Sequence, residues 1–600
     1  MAVLAMAASA GAAETKHTFT LSTNDFLLDG KPFQIRAGEI HPNRVPKEYW
    51  RQRIQMAKAM GLNTISSYVF WSYHEVEEGR FDFKTWNRDI GAFLQIAKEE
   101  GMWVSFRPGP YCCGEYDFGA IPTYLLRYPD LKIRCMDTRY MAAVERYLRA
   151  LAAVIRPYQI TNGGPILMVQ IENEYGSYPP GHDRKYLERL CAIWRDEKIE
   201  VPFYTADGAS EHALTTGMVP GGALGMDPGT SEAHWAVAKK VNPHVPAFCS
   251  EVYPGWLMHW GKKWNYGKNL HNELKFYMDS KKSFALYMFH GGSNWGFMAG
   301  ANSGGSGYEP DITSYDYGSP VDEQGRATQH YMTMRQQLAA YLPAGEKLPD
   351  IPESIPAMRI PKIEMKRWTS LWDQLPASIK SEQVKTFETL GQNQGLMLYR
   401  TRLKQSGGGQ LVLRHLHDYA LVFLDGKYIG TLNRCKGQNA LDLPATDSAA
   451  PVLDILVEGM GHINFAAAMT ADRKGITEQV TLDKTPLTNW EIFPFPLDEK
   501  WAMSLRKTAA TGNKPGGVFR GVFNLDTFAD TFLDMSRYQK GYVWVNGHNL
   551  GRYWNIGPQY RLYCPAPWLK KGRNEIVVLD LHQTEPQPVC GMTSHNEKKI

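Results

Sequence analysis

The chain contains 600 residues, 43% of them hydrophobic, and carries a formal net charge of +4 at pH 7. This composition excludes a largely disordered protein, and the length predicts about two to four domains. The charges are balanced and form no long run of one sign, so the sequence lacks the basic surface that binds nucleic acid. No stretch reaches the roughly 18 consecutive apolar residues that a membrane-spanning helix needs.

The first residues have the character of an export signal. Met1–Glu14 (MAVLAMAASAGAAE) is apolar and ends in small residues of the A-x-A type that signal peptidase cleaves. Because the positively charged start is missing, we expect residues 1–13 to be a truncated signal. The sequence contains no Asn-X-Ser/Thr acceptor for N-glycosylation. These features predict a bacterial protein that is periplasmic or secreted.

The eight cysteines form no CxxC pair and no motif typical of zinc ligands. The sequence therefore predicts neither a metal site nor a dense disulfide scaffold. Cys112 and Cys113 are adjacent, and whether they form a disulfide stays open at this point.

Short β-branched or aromatic runs alternate with patterns of helical period through the first half of the chain. This alternation is typical of βαβ units and a parallel sheet. Eight such units predict a (β/α)8 TIM barrel over residues 14–342, in which reactive groups lie at the C-terminal ends of the strands. Clear helical patterns cover residues 47–60, 86–100, 140–155, 183–198, 269–280 and 328–341. The predicted strands are Phe33–Ile40, Thr64–Trp71, Trp103–Tyr111, Pro165–Glu172, Pro202–Asp207, Ala223–Asp227, Ala247–Glu251 and Phe284–His290.

The helical period disappears after a cluster of prolines, which predicts a linker over residues 343–384. Beyond it, short strands and glycine turns predict two β-sandwich or jelly-roll domains, at residues 385–488 and 489–600. Residues 490–497 (WEIFPFPL) are expected to connect them. Residues 422–432 and 543–553 resemble each other, since each has an Asp-Gly or Asn-Gly hairpin turn between two strands.

Two glutamates lie at predicted strand ends. Glu174 follows the fourth strand and Glu251 ends the seventh. Two carboxyl groups facing each other across a pocket are what glycosidic cleavage needs, one as a proton donor and one ionised. A separation of about 5 to 5.5 Å would give retention and one of about 6.5 to 9.5 Å inversion, and the sequence does not decide between them. A single such glutamate is more often a salt-bridge or rim residue.

Five long blocks carry a specific resemblance. They are FRPGPYCCGEYDFGAIPTYLL (106–126), GGPILMVQIENEYGSY (163–178), SEVYPGWLMHWG (250–261), LYMFHGGSNWG (286–296) and TSYDYGSP (313–320). They resemble the signature blocks of family 35 of the glycoside hydrolases, the β-galactosidases, here as a bacterial member. The similarity extends to WVNGHNLGRYW (544–554) and so covers nearly the whole chain. It implies a catalytic barrel followed by β-domains, the last one similar to a galactose-binding jelly roll.

The resemblance also implies roles for individual residues. Glu174 matches the general acid/base and Glu251 the nucleophile of a retaining, exo-acting enzyme that removes terminal β-D-galactose. Asn173 matches the residue that binds the sugar 2-hydroxyl. The other implied substrate-binding residues are Tyr68, Cys113, Gly114, Glu115, Tyr287 and Tyr317. No metal and no organic cofactor is implied, and the implied partner is a galactoside oligosaccharide or glycan.

Several alternatives stay open. The same two glutamates could serve a β-glycosidase for another sugar or one strict for β-1,3 linkages, and the β-domains could make the protein a non-catalytic carbohydrate binder. Trp256 and Trp260 fit either an aglycone platform or simple packing, and any single tyrosine fits a buried core residue. Glu75 is expected at the rim. A homodimer is expected only because dimers are common.

Overall fold

The protein is described as a computed structural model that covers residues 16–304, 307–404, 408–509 and 514–595. The expected signal segment, residues 1–13, lies outside these described residues. Within them, no helix is long and apolar enough to cross a membrane.

Eight parallel strands close into a barrel, in the order in which they occur in the chain. The predicted barrel is confirmed, and each observed strand lies within or overlaps its predicted run. Since both faces of these strands are covered, nearly all their residues are buried, as is usual for parallel sheets. The strands are β1 Arg36–Ile40, β2 Thr64–Tyr68, β3 Trp103–Arg107, β4 Ile166–Gln170, β5 Phe203–Asp207, β6 Ala223–Met226, β7 Ala247–Val252 and β8 Phe284–His290.

Helices surround the barrel, and six of the eight begin at a residue whose side chain caps the first turn. Asp89, Asp137 and Asp183 accept hydrogen bonds from backbone N–H groups of the first turn, and Ser210, Ser231 and Thr328 do the same. The helices are α1 Trp50–Met60, α2 Ile90–Glu99, α3 Thr138–Ile155, α4 Arg184–Asp196, α5 Glu211–Gly217, α6 Glu232–Val241, α7 His271–Asp279 and α8 Gln329–Ala339. Helices α5 and α6 lie after β5 and β6, where the sequence has no clear helical pattern.

Each β-domain is built on two large antiparallel sheets, and the first also has a two-stranded sheet of Leu416–His417 and Gly475–Ile476. The predicted all-β region is therefore confirmed. In the first β-domain a six-stranded sheet (Ile379–Ser381, Trp490–Phe495, Leu396–Arg402, Val452–Glu458, Tyr419–Leu424, Lys427–Asn433) shares a core with a four-stranded sheet (Ala440–Leu443, Gly409–Leu413, Val480–Leu482, Thr485–Pro486). In the second β-domain a five-stranded sheet is formed by Met365–Ser370, Gly517–Leu525, Gly572–Asp580, Lys540–Val545 and His548–Trp554. A four-stranded sheet is formed by Ile360–Ile363, Val589–Met592, Thr531–Asp534 and Arg561–Cys564. Both predicted hairpins are present, and their turn residues Asp425-Gly426 and Asn546-Gly547 have the positive φ values that such two-residue turns require.

The segment expected to be a linker, residues 343–384, differs from the expectation. Ile360–Ile363 and Met365–Ser370 pair with strands of the second β-domain, whereas Ile379–Ser381 pairs with the first. The expected connector also differs, because Trp490–Phe495 pairs with Leu396–Arg402 inside the first β-domain. Prolines obscured these strands, and Ile360–Ile363 accommodates Pro361 as an edge strand. The first β-domain is therefore inserted between strands of the second.

A buried carboxylate joins the two β-domains. Glu458 of the first domain is fully buried and accepts hydrogen bonds from Arg552 Nε at 2.8 Å, Tyr542 OH at 2.7 Å and Lys540 Nζ, all of the second domain. Lys540 and Arg552 are buried themselves, so solvent cannot take the place of the carboxylate. Docking of the two β-domains therefore depends on Glu458 meeting Lys540 and Arg552, because either side left alone would be a buried charge without a partner.

We expect Glu458→Ala to lower the free energy of unfolding by about 3 to 5 kcal/mol, because it leaves Lys540 and Arg552 buried without a counter-charge. Chemical denaturation of the whole chain, followed by tryptophan fluorescence, measures this. The matched control is Glu364→Ala, which removes the exposed ion pair with Lys362 and is expected to change stability by less than about 1 kcal/mol. Equal effects of the two substitutions would contradict the expectation.

Candidate active site

The two glutamates singled out in the sequence lie at the C-terminal end of the barrel. Glu251 is on β7 and is 5% exposed, whereas Glu174 lies four residues beyond β4 and is partly exposed. Glu174 has a left-handed backbone conformation, with φ 46° and ψ 37°, and its N–H donates to the carbonyl oxygen of Ala206 at the end of β5. The loop after β4 is thereby fixed to the neighbouring strand.

Glu251 is held by three donors. Arg107 Nη2 and Tyr68 OH, the latter at 3.3 Å, donate to Oε1, and Tyr253 OH donates to Oε2 at 3.0 Å. Burial raises the pKa of Glu251 above its usual range, and the charge of Arg107 and its hydrogen bond limit that rise. The side chain therefore has the partners that an ionised carboxylate needs in a buried site.

Glu174 has far fewer stabilising partners. Its Oε2 accepts one long hydrogen bond of 3.4 Å from Asn173 Nδ2. Burial raises the pKa of Glu174 to about 8, and the negative charge of Glu251 adds to this, while Arg134 opposes it. A proton shared by this pair therefore favours Glu174, and the negative charge favours Glu251, which Arg107 contacts.

Asn173 links the two carboxyl groups. Its Oδ1 accepts hydrogen bonds from Arg107 Nη2 at 3.1 Å, from Gln170 Nε2 at 2.9 Å and, at 2.8 Å, from the Tyr68 hydroxyl, whose one proton lies between this oxygen and Glu251 Oε1. Since three donors fix the amide oxygen, the Nδ2 group is left facing Glu174. The amide is thus oriented before any ligand binds.

Arg107 and Glu39 are central to the site, and neither was predicted from the sequence as a site residue. Arg107 ends β3 and donates to Glu39 Oε2 at 2.9 Å and to Gln170 Oε1 at 2.8 Å, in addition to Asn173 and Glu251. Burial alone would raise the pKa of Glu39, but Arg107 and His41 lower it to about 2. Both residues lie near the C-terminal ends of barrel strands, β3 and β1, as Glu174 and Glu251 do for their strands. That position was the feature of the sequence from which they could have been predicted.

Cys113, Gly114 and Glu115 lie together on the loop after β3. Glu115 Oε2 accepts a hydrogen bond from Tyr315 OH, and burial raises the pKa of Glu115 to about 7. The carbonyl oxygen of Gly114 accepts a hydrogen bond of 2.5 Å from Arg44 Nη2. Cys113 is a free thiol, as is Cys112, so the structure contains no disulfide between them.

The predicted tyrosines form one aromatic cluster beside the carboxylates. The ring of Tyr287 lies 6.3 Å from that of Tyr68 and 5.6 Å from that of Tyr317, and its hydroxyl lies 3.0 Å from that of Tyr315. Tyr315 was not predicted, although it lies within the TSYDYG block. All nine predicted site residues are thus connected through direct contacts or shared neighbours.

The two tryptophans after Glu251 differ in their surroundings. Trp256 is 50% exposed, with its ring 5.1 Å from that of Tyr253 and 6.3 Å from that of Tyr317. Trp260 is only 5% exposed and packs against Trp554 of the second β-domain. These surroundings favour a platform for Trp256 and simple packing for Trp260.

Glu75 lies apart from the carboxylate pair. It accepts hydrogen bonds from Trp71 Nε1 and the Gly79 N–H, both at 2.6 Å, and from Tyr124 OH. Its contacts are those of a structural carboxylate that closes a loop. Among the described residues no three His, Cys, Asp or Glu side chains are arranged to hold a metal ion.

Known proteins resemble this chain along most of its length. Residues 25–341 match the family described as glycosyl hydrolases family 35, residues 385–497 the first all-β domain of β-galactosidases and residues 517–574 their galactose-binding domain. The chain is 36% identical over 568 residues to a β-galactosidase of Xanthomonas manihotis, covering 93% of each protein. It is 36% identical over 620 residues to the β-galactosidase of Bos taurus, covering 96% of this chain and 92% of that protein.

A third relative is the human β-galactosidase-1-like protein 2, which is 36% identical over 596 residues, covering 95% of this chain and 91% of that protein. The similarity therefore includes both the barrel and the β-domains. From the extent of this match, the chain belongs to family 35 of the glycosyl hydrolases.

Proposed function

We propose that this glycoside hydrolase is an exo-acting β-galactosidase that releases terminal non-reducing β-D-galactose with retention of configuration. The observation that carries the proposal is the unequal pair of carboxyl groups at the barrel mouth. Glu251 is held as an anion by Arg107, whereas Glu174 keeps a proton at neutral pH. A protonated acid beside an ionised carboxylate is what glycosidic cleavage requires, and the resemblance to family 35 supports the retaining use of this pair, with Glu251 as the nucleophile.

The reaction proceeds in two steps. Glu174 donates its proton to the glycosidic oxygen as a carboxylate oxygen of Glu251 attacks the anomeric carbon, so that the C–O bond to the aglycone breaks and a galactosyl ester forms. Esterification removes the charge of Glu251 and thereby lowers the pKa of Glu174. Glu174 then takes a proton from water, whose oxygen attacks the anomeric carbon and releases galactose and Glu251.

The remaining residues bind the sugar. Asn173 Nδ2 is oriented to hydrogen-bond the 2-hydroxyl, a contact that strengthens as positive charge develops at the anomeric carbon. Glu115 offers a carboxyl group for galactose hydroxyls, with the backbone of Cys113 and Gly114 beside it. Tyr68, Tyr287 and Tyr317 line the pocket with rings and hydroxyl groups.

Three finer points belong to the proposal. We infer a bacterial source from the lack of Asn-X-Ser/Thr acceptors, a periplasmic or secreted location from the small-residue segment before residue 14, and a homodimer from the frequency of that state. N-terminal sequencing of the mature protein checks the location. Light scattering checks the oligomeric state.

The first experiment is proton NMR of the sugar released from 4-nitrophenyl β-D-galactoside, followed from the first minutes. We expect β-galactose to be the initial product. Initial α-galactose would mean inversion and would contradict the mechanism. Faster hydrolysis of the glucoside would shift the assignment to another sugar, and no hydrolysis of any β-glycoside would favour a carbohydrate-binding protein.

Glu251→Gln is expected to lower turnover at least about 10³-fold, because it removes the attacking carboxylate. The thermal unfolding midpoint should stay close to that of the parent, because the amide keeps a hydrogen-bonding oxygen and Glu39 still pairs with Arg107. The matched control is Glu75→Gln, which changes another buried carboxylate near the barrel mouth that lies outside the proposed mechanism. We expect the control to keep turnover within about threefold of the parent. Parent-like turnover in Glu251→Gln would remove this residue from its role.

The pH profile tests Glu174. Because burial and Glu251 raise its pKa to about 8, the acid is present below that pH and is lost above it, so kcat/KM should fall as pH rises through about 8. In Glu174→Gln this alkaline limb should disappear. A dinitrophenyl galactoside, whose leaving group needs no proton, should react nearly as fast with the variant as with the parent in the first step. An unchanged alkaline limb in the variant would assign it to another group.

Trp256 tests the aglycone platform. We expect Trp256→Ala to lower kcat/KM for a β-linked galactosyl disaccharide by about two- to tenfold, the range of one lost ring contact. β-Galactosyl azide, whose aglycone has no ring to stack on Trp256, should react with the variant as fast as with the parent. The same loss with both substrates would contradict the platform, and steady-state kinetics with the two substrates measures it.

A further inference from the structure

The loop after β3 that carries Cys113, Gly114 and Glu115 has an unusual backbone. Within this pocket loop, residues 111–121, the non-glycine residues with left-handed φ are Cys113 (61°), Glu115 (47°), Phe118 (53°) and Ala120 (70°). Side chains with a Cβ atom disfavour this region, so the loop needs contacts from outside to keep its shape.

Those contacts come from the first β-domain. We define the bracing segment as residues 459–464, which directly follow the strand Val452–Glu458. Tyr111 OH donates to the carbonyl oxygen of Asn464 at 2.8 Å, and Cys113 Sγ lies 3.5 Å from Asn464 Oδ1. The N-terminal end of the Cys113–Glu115 turn therefore lies close to a residue that no barrel element provides.

His462 makes the strongest connection. Its backbone N–H and ring Nδ1 donate to Asp117 Oδ1 at 2.5 and 2.9 Å, and its Nε2 donates to Glu388 Oε1 at 2.7 Å. The ring is 1% exposed and lies between two carboxylates, which hold it as a cation against the cost of burial and raise its pKa to about 10. Asp117 is two residues from Glu115.

Gly300 and Ala301, which belong to the barrel domain, connect Glu115 with the bracing segment. The Gly300 N–H donates to the carbonyl oxygen of Glu115 at 3.0 Å, and the Ala301 N–H donates to that of His462 at 3.0 Å. Asn464 donates to the Ala301 carbonyl oxygen through both its N–H and its Nδ2, each at 2.9 Å. The bracing segment thus reaches Glu115 by two routes, through Asp117 and through Gly300.

From these contacts we propose that His462, with Asn464, is a positioning residue that holds the pocket loop so that Glu115 meets the galactose hydroxyls. The first β-domain then completes the sugar pocket of the barrel. This inference rests on the proposed role of Glu115 in substrate binding. It concerns residues that lie outside the barrel and contact neither Glu174 nor Glu251.

A double-mutant cycle with Glu115 tests the proposal. We expect His462→Gln to lower kcat/KM for 4-nitrophenyl β-D-galactoside at least about tenfold, because small displacements of binding groups have large kinetic costs. In the Glu115→Gln background the same change should cost less than about threefold, since the group it positions is already gone. The preference for galactoside over glucoside should fall in both single variants.

A matched control separates positioning from stability. Arg400→Gln removes the Arg400–Asp454 ion pair of the same β-domain and makes no contact with the pocket loop. We expect it to lower the thermal unfolding midpoint and to leave kcat/KM unchanged. If His462→Gln does not fold, Asp117→Asn takes its place, because it keeps the acceptor for the His462 N–H and removes the charge.

The outcomes are distinguishable. Equal losses from His462→Gln with and without Glu115 would overturn the positioning role, as would parent-like kcat/KM in that variant. If Glu115→Gln itself leaves kcat/KM unchanged, both the role of Glu115 and this inference are wrong. The reaction type is tested separately by the product anomer and by Glu251→Gln.

Discussion

The arrangement of the site depends on one buried arginine. Arg107 uses all three nitrogens of its guanidinium group, with acceptors on β1, β4 and β7 and on the loop after β4. Arginine does not lose its proton in proteins, so this cation is permanent. It compensates Glu39 and Glu251 at once. Without it, two carboxylates would lie unpaired in a barrel core, which is costly enough that at least one would take up a proton.

The charge held in this way determines the state of its neighbour. An ionised Glu251 raises the pKa of Glu174, and the cation that opposes this rise, Arg134, forms its ion pair with Glu172. The difference between the two glutamates therefore comes from the direct contact that Arg107 makes with Glu251. The same side chain orients Asn173, so that the electrostatics and the geometry of the proposed sugar site have a common origin.

Much of the barrel could be predicted from sequence, because buried parallel strands and amphipathic helices have different periods. Glu174 and Glu251 could be predicted because strand ends of a barrel face one mouth. Arg107 and Glu39 were missed, since an arginine and a glutamate at strand ends look like surface charges until their partners on other strands are known. Tyr253 and Tyr315 lay within blocks of evident similarity, but only their contacts distinguish them from core tyrosines.

The β-domains show a different limit. Strand pairing between Met365–Ser370 and Gly517–Leu525 joins segments far apart in the chain, and no local pattern encodes such a partner. Proline density was a sound indication of irregular structure, yet an edge strand tolerates Pro361. Local signals were reliable where the turn itself carries the information, as at Asp425-Gly426 and Asn546-Gly547.

The insertion of one β-domain into the other has a consequence for synthesis on the ribosome. The barrel and the first β-domain each have all their strands once residue 495 has emerged, so each can fold while translation continues. The strands Ile360–Ile363 and Met365–Ser370 emerge early but pair only with strands made at the end of the chain. Until then their edges are exposed, and exposed edges recruit other strands. A nascent chain that stalls after these two strands have emerged, but before Gly517–Leu525 and Val589–Met592 are made, would expose an aggregation-prone edge that is covered in the finished protein.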